Sequence, residues 1–142
     1  MKLNLKPFYI VIISEKVLNI VGYMSGVGNT AKGAAFFPFM MVRSKEYMQP
    51  WLINHELIHF RQQIETLIIG SIILNFCEKM YGMFVLRKTQ KESYLWISAE
   101  QEAYLNQDDP QYLKTRPLWS QCKYIVHKKK ISVPSPGKVV VE

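Results

Sequence analysis

The chain has 142 residues, 49% of them hydrophobic, with 18 basic against 11 acidic side chains and a formal net charge of +7. That length and apolar content suit one ordinary domain with its own core, and they exclude disordered, collagenous and repeat architectures. The two cysteines, Cys77 and Cys122, stand far apart, which fits reduced thiols of a cytoplasmic protein better than a disulfide frame or a cysteine-based zinc site.

Residues 8–13 form an apolar Ile/Val-rich run entered through Pro7, and they predict a buried strand. The run is shorter than a signal-peptide core and no small-residue cleavage site follows it. Ser14 can cap a short helix over residues 15–21 that ends at Gly22. A glycine-rich stretch follows, but Gly33 is followed by Ala34 instead of the lysine a phosphate loop requires, so it is read as a loop. Residues 34–42 predict a second strand, placed at a sheet edge because Pro38 cannot donate to a ladder on both sides.

Pro50 suits the first turn of a helix whose apolar positions are Trp51, Leu52, Leu57, Ile58, Ile64 and Leu67, with Gly70 either an interruption or a close-packing point. Residues 66–76 are nearly all apolar, but Glu78 and Lys79 stop the run at about half the length of a membrane span. A further helix is predicted over residues 92–105, then a turn at 106–110 and a helical turn at 111–114. Trp96, Trp119 and Tyr112 are expected to pack in the core. From residue 123 onward five lysines face only Glu142, a net of +4, and Pro134, Ser135, Pro136 and Gly137 interrupt the segment. The expected organisation is one domain over 1–126 and a basic, flexible tail over 127–142. No nucleic-acid-binding motif accompanies the basic residues, so no nucleic-acid partner is expected.

Chemistry concentrates in His55-Glu56-Leu57-Ile58-His59. Residues four apart on a helix stand one above the other, so both imidazoles can reach one metal ion. Glu56 points about 60° away from His59 around the axis, which takes it off the metal and toward a water beside it, where a general base is needed. By composition the pattern arises by chance in roughly 0.4% of such chains, so it is read as a zinc site with His55 and His59 as ligands and Glu56 as catalytic base. A third protein ligand is required. Glu65 lies on the same helix, about 9 Å further along the axis than His59, too far to share the metal. Glu100 and Glu102 lie on the later helix and remain the candidates. Gln62, on the His55 face, is either a contact to a substrate or ligand or a structural amide.

This combination resembles the gluzincin metallopeptidases, whose third ligand is a glutamate on a second helix, carried in several membrane-bound branches as Glu-x-x-Ala-Asp. The resemblance puts Glu100 at the ligand position and Ala103 at the small position that lets the helices approach. Tyr104 stands where that family has an aspartate bonded to a ligand histidine. Over about residues 34–126, the segments Leu52-Ile53-Asn54-His55-Glu56, Arg61-Gln62-Gln63-x-Glu65, Glu-x-Glu-Ala-Tyr and Tyr112-Leu113-x-x-Arg116 are also similar to a group of small bacterial zincin-like proteins. The resemblance implies an α+β, mostly helical domain of zincin-like, minimal metallopeptidase type, with a small sheet packed on the motif helix. It implies Zn2+ as cofactor, His55, His59 and Glu100 as ligands, and a peptide or protein as substrate. Two other readings stand beside it: a non-catalytic metal-binding protein of the same fold, and a protein that contacts a membrane surface through residues 66–76 and the basic tail.

Overall fold

The computed structural model describes residues 9–132 and 140–141, so Phe8 of the first expected strand and residues 133–139 and 142 of the expected tail lie outside it. The architecture is α+β with helix in the majority. Strand β1 (Ile10–Ile13) runs parallel to β3 (Phe39–Val42), and β2 (Gly33–Phe36) pairs antiparallel with β3, giving the order β1-β3-β2. The single strand expected over 34–42 is thus a hairpin. Pro38 lies in the two-residue turn, after a cis Phe37-Pro38 bond, because a residue without an N–H fits a turn better than a ladder. The edge position belongs to β2, and β3 is central.

Helix α1 (Glu15–Ser25) starts where expected, with the Val17 N–H donating to Ser14 Oγ at 3.4 Å. It runs one turn beyond Gly22 and stops at Gly26, whose φ of 82° suits the left-handed cap. Gly22 serves a close approach instead. A Cβ there would fall 2.1 Å from the Gly28 carbonyl oxygen, so only glycine lets the following loop fold back on the helix.

Helix α2 (Pro50–Glu65) carries the motif. Leu52 and Phe60 bury against Met40 and Val42 of β3, so the sheet packs on this helix. Gln63 fastens the hairpin to it, accepting from the Phe37 N–H at 2.7 Å and donating to the Ala35 carbonyl at 2.8 Å. The helix ends before Gly70, at Leu67 and Ile68, which take φ of 56° and 62°. Helix α3 (Ile69–Phe84) then leaves at 110° to α2.

The helix expected over 92–105 is two helices, α4 (Gln90–Trp96) and α5 (Ser98–Asn106), broken at Ile97, which is extended. Thr89 and Glu92 form a reciprocal capping box at the start of α4. The backbone donor opened by the break is recovered by Glu78 of α3, which accepts from the Ser98 N–H at 3.0 Å and from its hydroxyl at 2.6 Å. Two short helices follow, α6 (Tyr112–Thr115) and the unanticipated α7 (Gln121–Val126), and then a ladder of β4 (Ile131–Ser132) with β5 (Val140–Val141). The described start of the basic segment is tied to the body. Lys128 pairs with Glu78, Gln101 exchanges hydrogen bonds with the Lys129 backbone at 2.8 and 2.9 Å, and Ile131 is buried. Trp119 is exposed instead of packed in the core, and Trp96 lies against the ammonium groups of Lys88 and Lys128.

Candidate metal centre

On α2 the rings of His55 and His59 meet edge to face, with their Nε2 atoms 3.2 Å apart. Helix α5 packs on α2, with Ala99 and Ala103 without exposed surface and the Ala99 carbonyl accepting from Gln62, and this contact carries Glu100 to the histidines. Glu100 Oε1 lies 3.4 Å from His59 Nε2, and Oε2 lies 3.6 Å from His55 Nε2. Ligand bonds of about 2.0–2.1 Å at tetrahedral angles give ligand–ligand edges of about 3.3 Å, and the 3.2 Å between the rings and the 3.4 and 3.6 Å approaches of the two Glu100 oxygens, one to each ring, are of that order. Among the described residues this is the group whose donor atoms converge in a way that could hold a metal ion.

The outer nitrogens of both rings are held by amides. His55 Nδ1 lies 3.0 Å from Gln107 Oε1, and His59 Nδ1 lies 2.8 Å from Gln62 Oε1. The Gln62 amide is oriented in turn, because its Nε2 donates to the Ala99 carbonyl and to Glu102 Oε2. An amide oxygen only accepts, so each Nδ1 carries a proton and each Nε2 lone pair is free to turn toward Glu100. Two lone pairs and a carboxylate at van der Waals distance need a positive charge between them. Without metal, a proton supplies it: burial works against a charged His59, but Glu100 more than offsets this and raises its pKa to about 9. Burial likewise opposes ionisation of Glu100, yet the two imidazoles hold it well below the usual carboxylate range. Glu100 Oε2 is also buried with no hydrogen-bond donor, as a cation ligand would be.

Glu56 is buried beside the triad, and its Oε2 likewise has no partner. Burial pushes its carboxyl up, partly offset by the neighbouring histidines. It lies under the first residue of β2: a Cβ at Gly33 would come within 2.6 Å of Glu56 Oε1, so glycine opens the room above the carboxylate. These groups line a cleft of about 800 Å³ that also takes in Trp51, Tyr94 and Tyr104. Burial, and then the charge on Glu100, push the phenols of Tyr94 and Tyr104 upward, so both stay protonated.

The other candidate carboxylates are engaged elsewhere. Glu102 has no exposed surface and accepts from Gln62, the Tyr112 hydroxyl and Arg116. Arg116 also grips Glu65 through both terminal nitrogens. Glu65, Glu102, Tyr112 and Arg116 therefore form a buried charged network behind the site, which reaches His59 through Gln62. Arg116 keeps Glu65 when Glu102 is removed, but the Gln62 amide, the Tyr112 hydroxyl and an Arg116 N–H lose their buried acceptor, so Glu102→Ala should lose at least about 1–3 kcal/mol of stability in chemical denaturation. A Glu102→Ala protein with a denaturation midpoint like that of wild type would show that the network carries no such weight.

Tyr104 does not replace the aspartate of the gluzincin pattern. Its ring packs on His55 at 4.6 Å between centroids, and the polar contact to His55 comes from Gln107. No spacing in the sequence marks Gln107, which lies in the turn after α5. The signal is indirect: Asn54, just before His55, donates to the carbonyls of Asn106, Gln107 and Asp109 and so holds that turn against α2. Tested against known proteins, the chain matches no protein family model, no curated protein and no solved structure.

Proposed function

We propose that this protein is a zinc-dependent peptidase of the gluzincin type, with His55, His59 and Glu100 as metal ligands and Glu56 as general base. The observation that carries the reading is the convergence of the His55, His59 and Glu100 donor atoms, with a buried, unpartnered carboxylate beside them. Among divalent metals, two imidazoles and one carboxylate suit zinc. A zinc ion held there would polarise a peptide carbonyl and lower the pKa of a water in the cleft.

The chain's own residues supply the rest. Glu56 takes a proton from the attacking water and passes it to the departing amine, a role suited to a carboxyl whose proton affinity burial has raised. Gln62 and Gln107 keep both rings in one tautomer and one orientation. The free edge of β2 can add an extended peptide as a further strand. Gln63 already occupies the Ala35–Phe37 end of that edge, so a peptide would pair at the Gly33 end, directly over Glu56.

The test is metal content together with turnover. Purified protein reconstituted with zinc should bind one equivalent, His55→Ala should bind far less, and the wild type should cleave members of an unbiased peptide library. A wild type that holds no zinc sinks the metal site. A wild type that holds zinc but cleaves nothing leaves the non-catalytic metal protein as the correct reading.

A further inference from the structure

Helix α3 is patterned inside out. The residues it turns toward the protein are small or polar. Ser71 and Gly82 are buried, Glu78 caps α5, and Gly82 packs against Ser93. The residues it turns to solvent are large and apolar: Ile69, Ile72, Ile73, Phe76 and Phe84 are each more than half exposed, with Phe84 at 74%. At about 100° per residue these five fall within one arc of about 120°, an unbroken stripe along the helix. Leu67, 82% exposed in the strained turn before α3, extends the stripe at one end. Helix α1 adds Ile20, Tyr23 and Met24, and Met24 lines the same cleft as Ile72 and Phe76. A water-facing helix buries its apolar stripe, whereas one that faces lipid turns it outward.

We infer that the outward faces of α3 and α1 rest on the acyl region of an anionic lipid bilayer, with the metal cleft opening at the membrane surface. The charges around the stripe select this occupant. Arg87 and Lys91 follow its C-terminal end and Lys16 lies one helical turn before Ile20, whereas the acidic neighbours Glu15 and Glu92 are taken up by Arg43 and the Thr89 cap. Anionic headgroups complement that rim. A second copy docked stripe to stripe by two-fold symmetry would instead oppose basic rims on a chain of net charge +7. The contact is a surface one. No described helix is long and apolar enough to cross a bilayer, and α2 and α3 pass that test only as a pair bent by 110°. Helix α2 also spends Leu52 and Phe60 on the sheet. The inference does not depend on peptidase activity.

Vesicle flotation tests it, using the full chain with phosphatidylcholine vesicles, with and without phosphatidylglycerol. Wild type, zinc-loaded or metal-stripped, should float with the anionic vesicles, more weakly with neutral ones, and more weakly as salt rises. Phe76→Glu and Ile73→Glu replace exposed side chains, so the fold should persist, and each should weaken flotation by more than about tenfold. Cys77, exposed on α3, provides a second reading that needs no change to the stripe. In Cys122→Ser protein, an environment-sensitive dye on Cys77 should shift to the blue on anionic vesicles. Wild type that stays with the pellet, variants that float like wild type, or a dye that does not respond would each overturn the inference. A stable dimer that Phe76→Glu dissociates, without vesicle binding by either protein, would assign the stripe to a second copy instead.

Discussion

Glu56→Gln is expected to keep stoichiometric zinc and to lose peptide hydrolysis by about 10²–10⁴-fold in kcat, the usual range for removing a positioned acid–base group. The amide has nearly the carboxylate's shape but cannot accept the water's proton. Glu56 is outside the His55, His59 and Glu100 group, so metal affinity should change little. The fold should tolerate the change as well. Burial pushes the Glu56 carboxyl up, so its ionised form costs folding free energy at neutral pH, and a neutral amide removes that cost. The metal-free variant is therefore expected to be at least as stable as the metal-free wild type. Equal turnover by variant and wild type, measured at matched zinc occupancy on a cleaved peptide, would show that the base lies elsewhere.

The second large effect concerns the third ligand. Glu100→Ala should lower zinc affinity by more than about a hundredfold, beyond the 10–100-fold typical of losing a group that only orients a ligand. Its carboxylate sets one oxygen against each Nε2 atom, and among the described residues no other acid pairs with them. Glu102→Ala and Glu65→Ala should behave differently. Both remove partners of Arg116, so they should show mainly as lost stability. The Glu102 change should also loosen Gln62 and soften zinc binding through His59. Competition with a chromophoric chelator gives the ranking. If Glu100→Ala binds zinc like wild type while Glu102→Ala does not, the assignment of the third ligand is wrong.

The same residues show how far the sequence reaches. The i, i+4 spacing of His55 and His59 is local, so helix geometry alone stacks the two rings and turns Glu56 aside. The alternation of small and acidic residues in Ser98-Ala99-Glu100-Gln101-Glu102-Ala103 marks a helix that can approach closely. Which of its two glutamates faces the histidines is not a local property. Glu100 and Glu102 differ by about 200° around the axis, and the packing of α5 on α2 makes the choice.

What only the tertiary structure decided has a common cause, namely contacts between residues far apart in the chain. The break at Ile97 follows no breaker residue, and it is held open by Glu78 from another helix. Gln107 has no motif spacing to the histidines and is brought to His55 by a turn that Asn54 anchors. The one-sided exposure of α3 is equally hidden, because an apolar run looks the same whether its bulky side chains face a core or the outside. By itself, the sequence determined the motif helix and the relative placement of His55, Glu56 and His59 on it, since 3.6 residues per turn ties those positions to one another. The glutamate that meets the histidines, the amides behind the rings and the apolar face left uncovered depend on how the helices pack. No repeat of 3.6 residues encodes that packing.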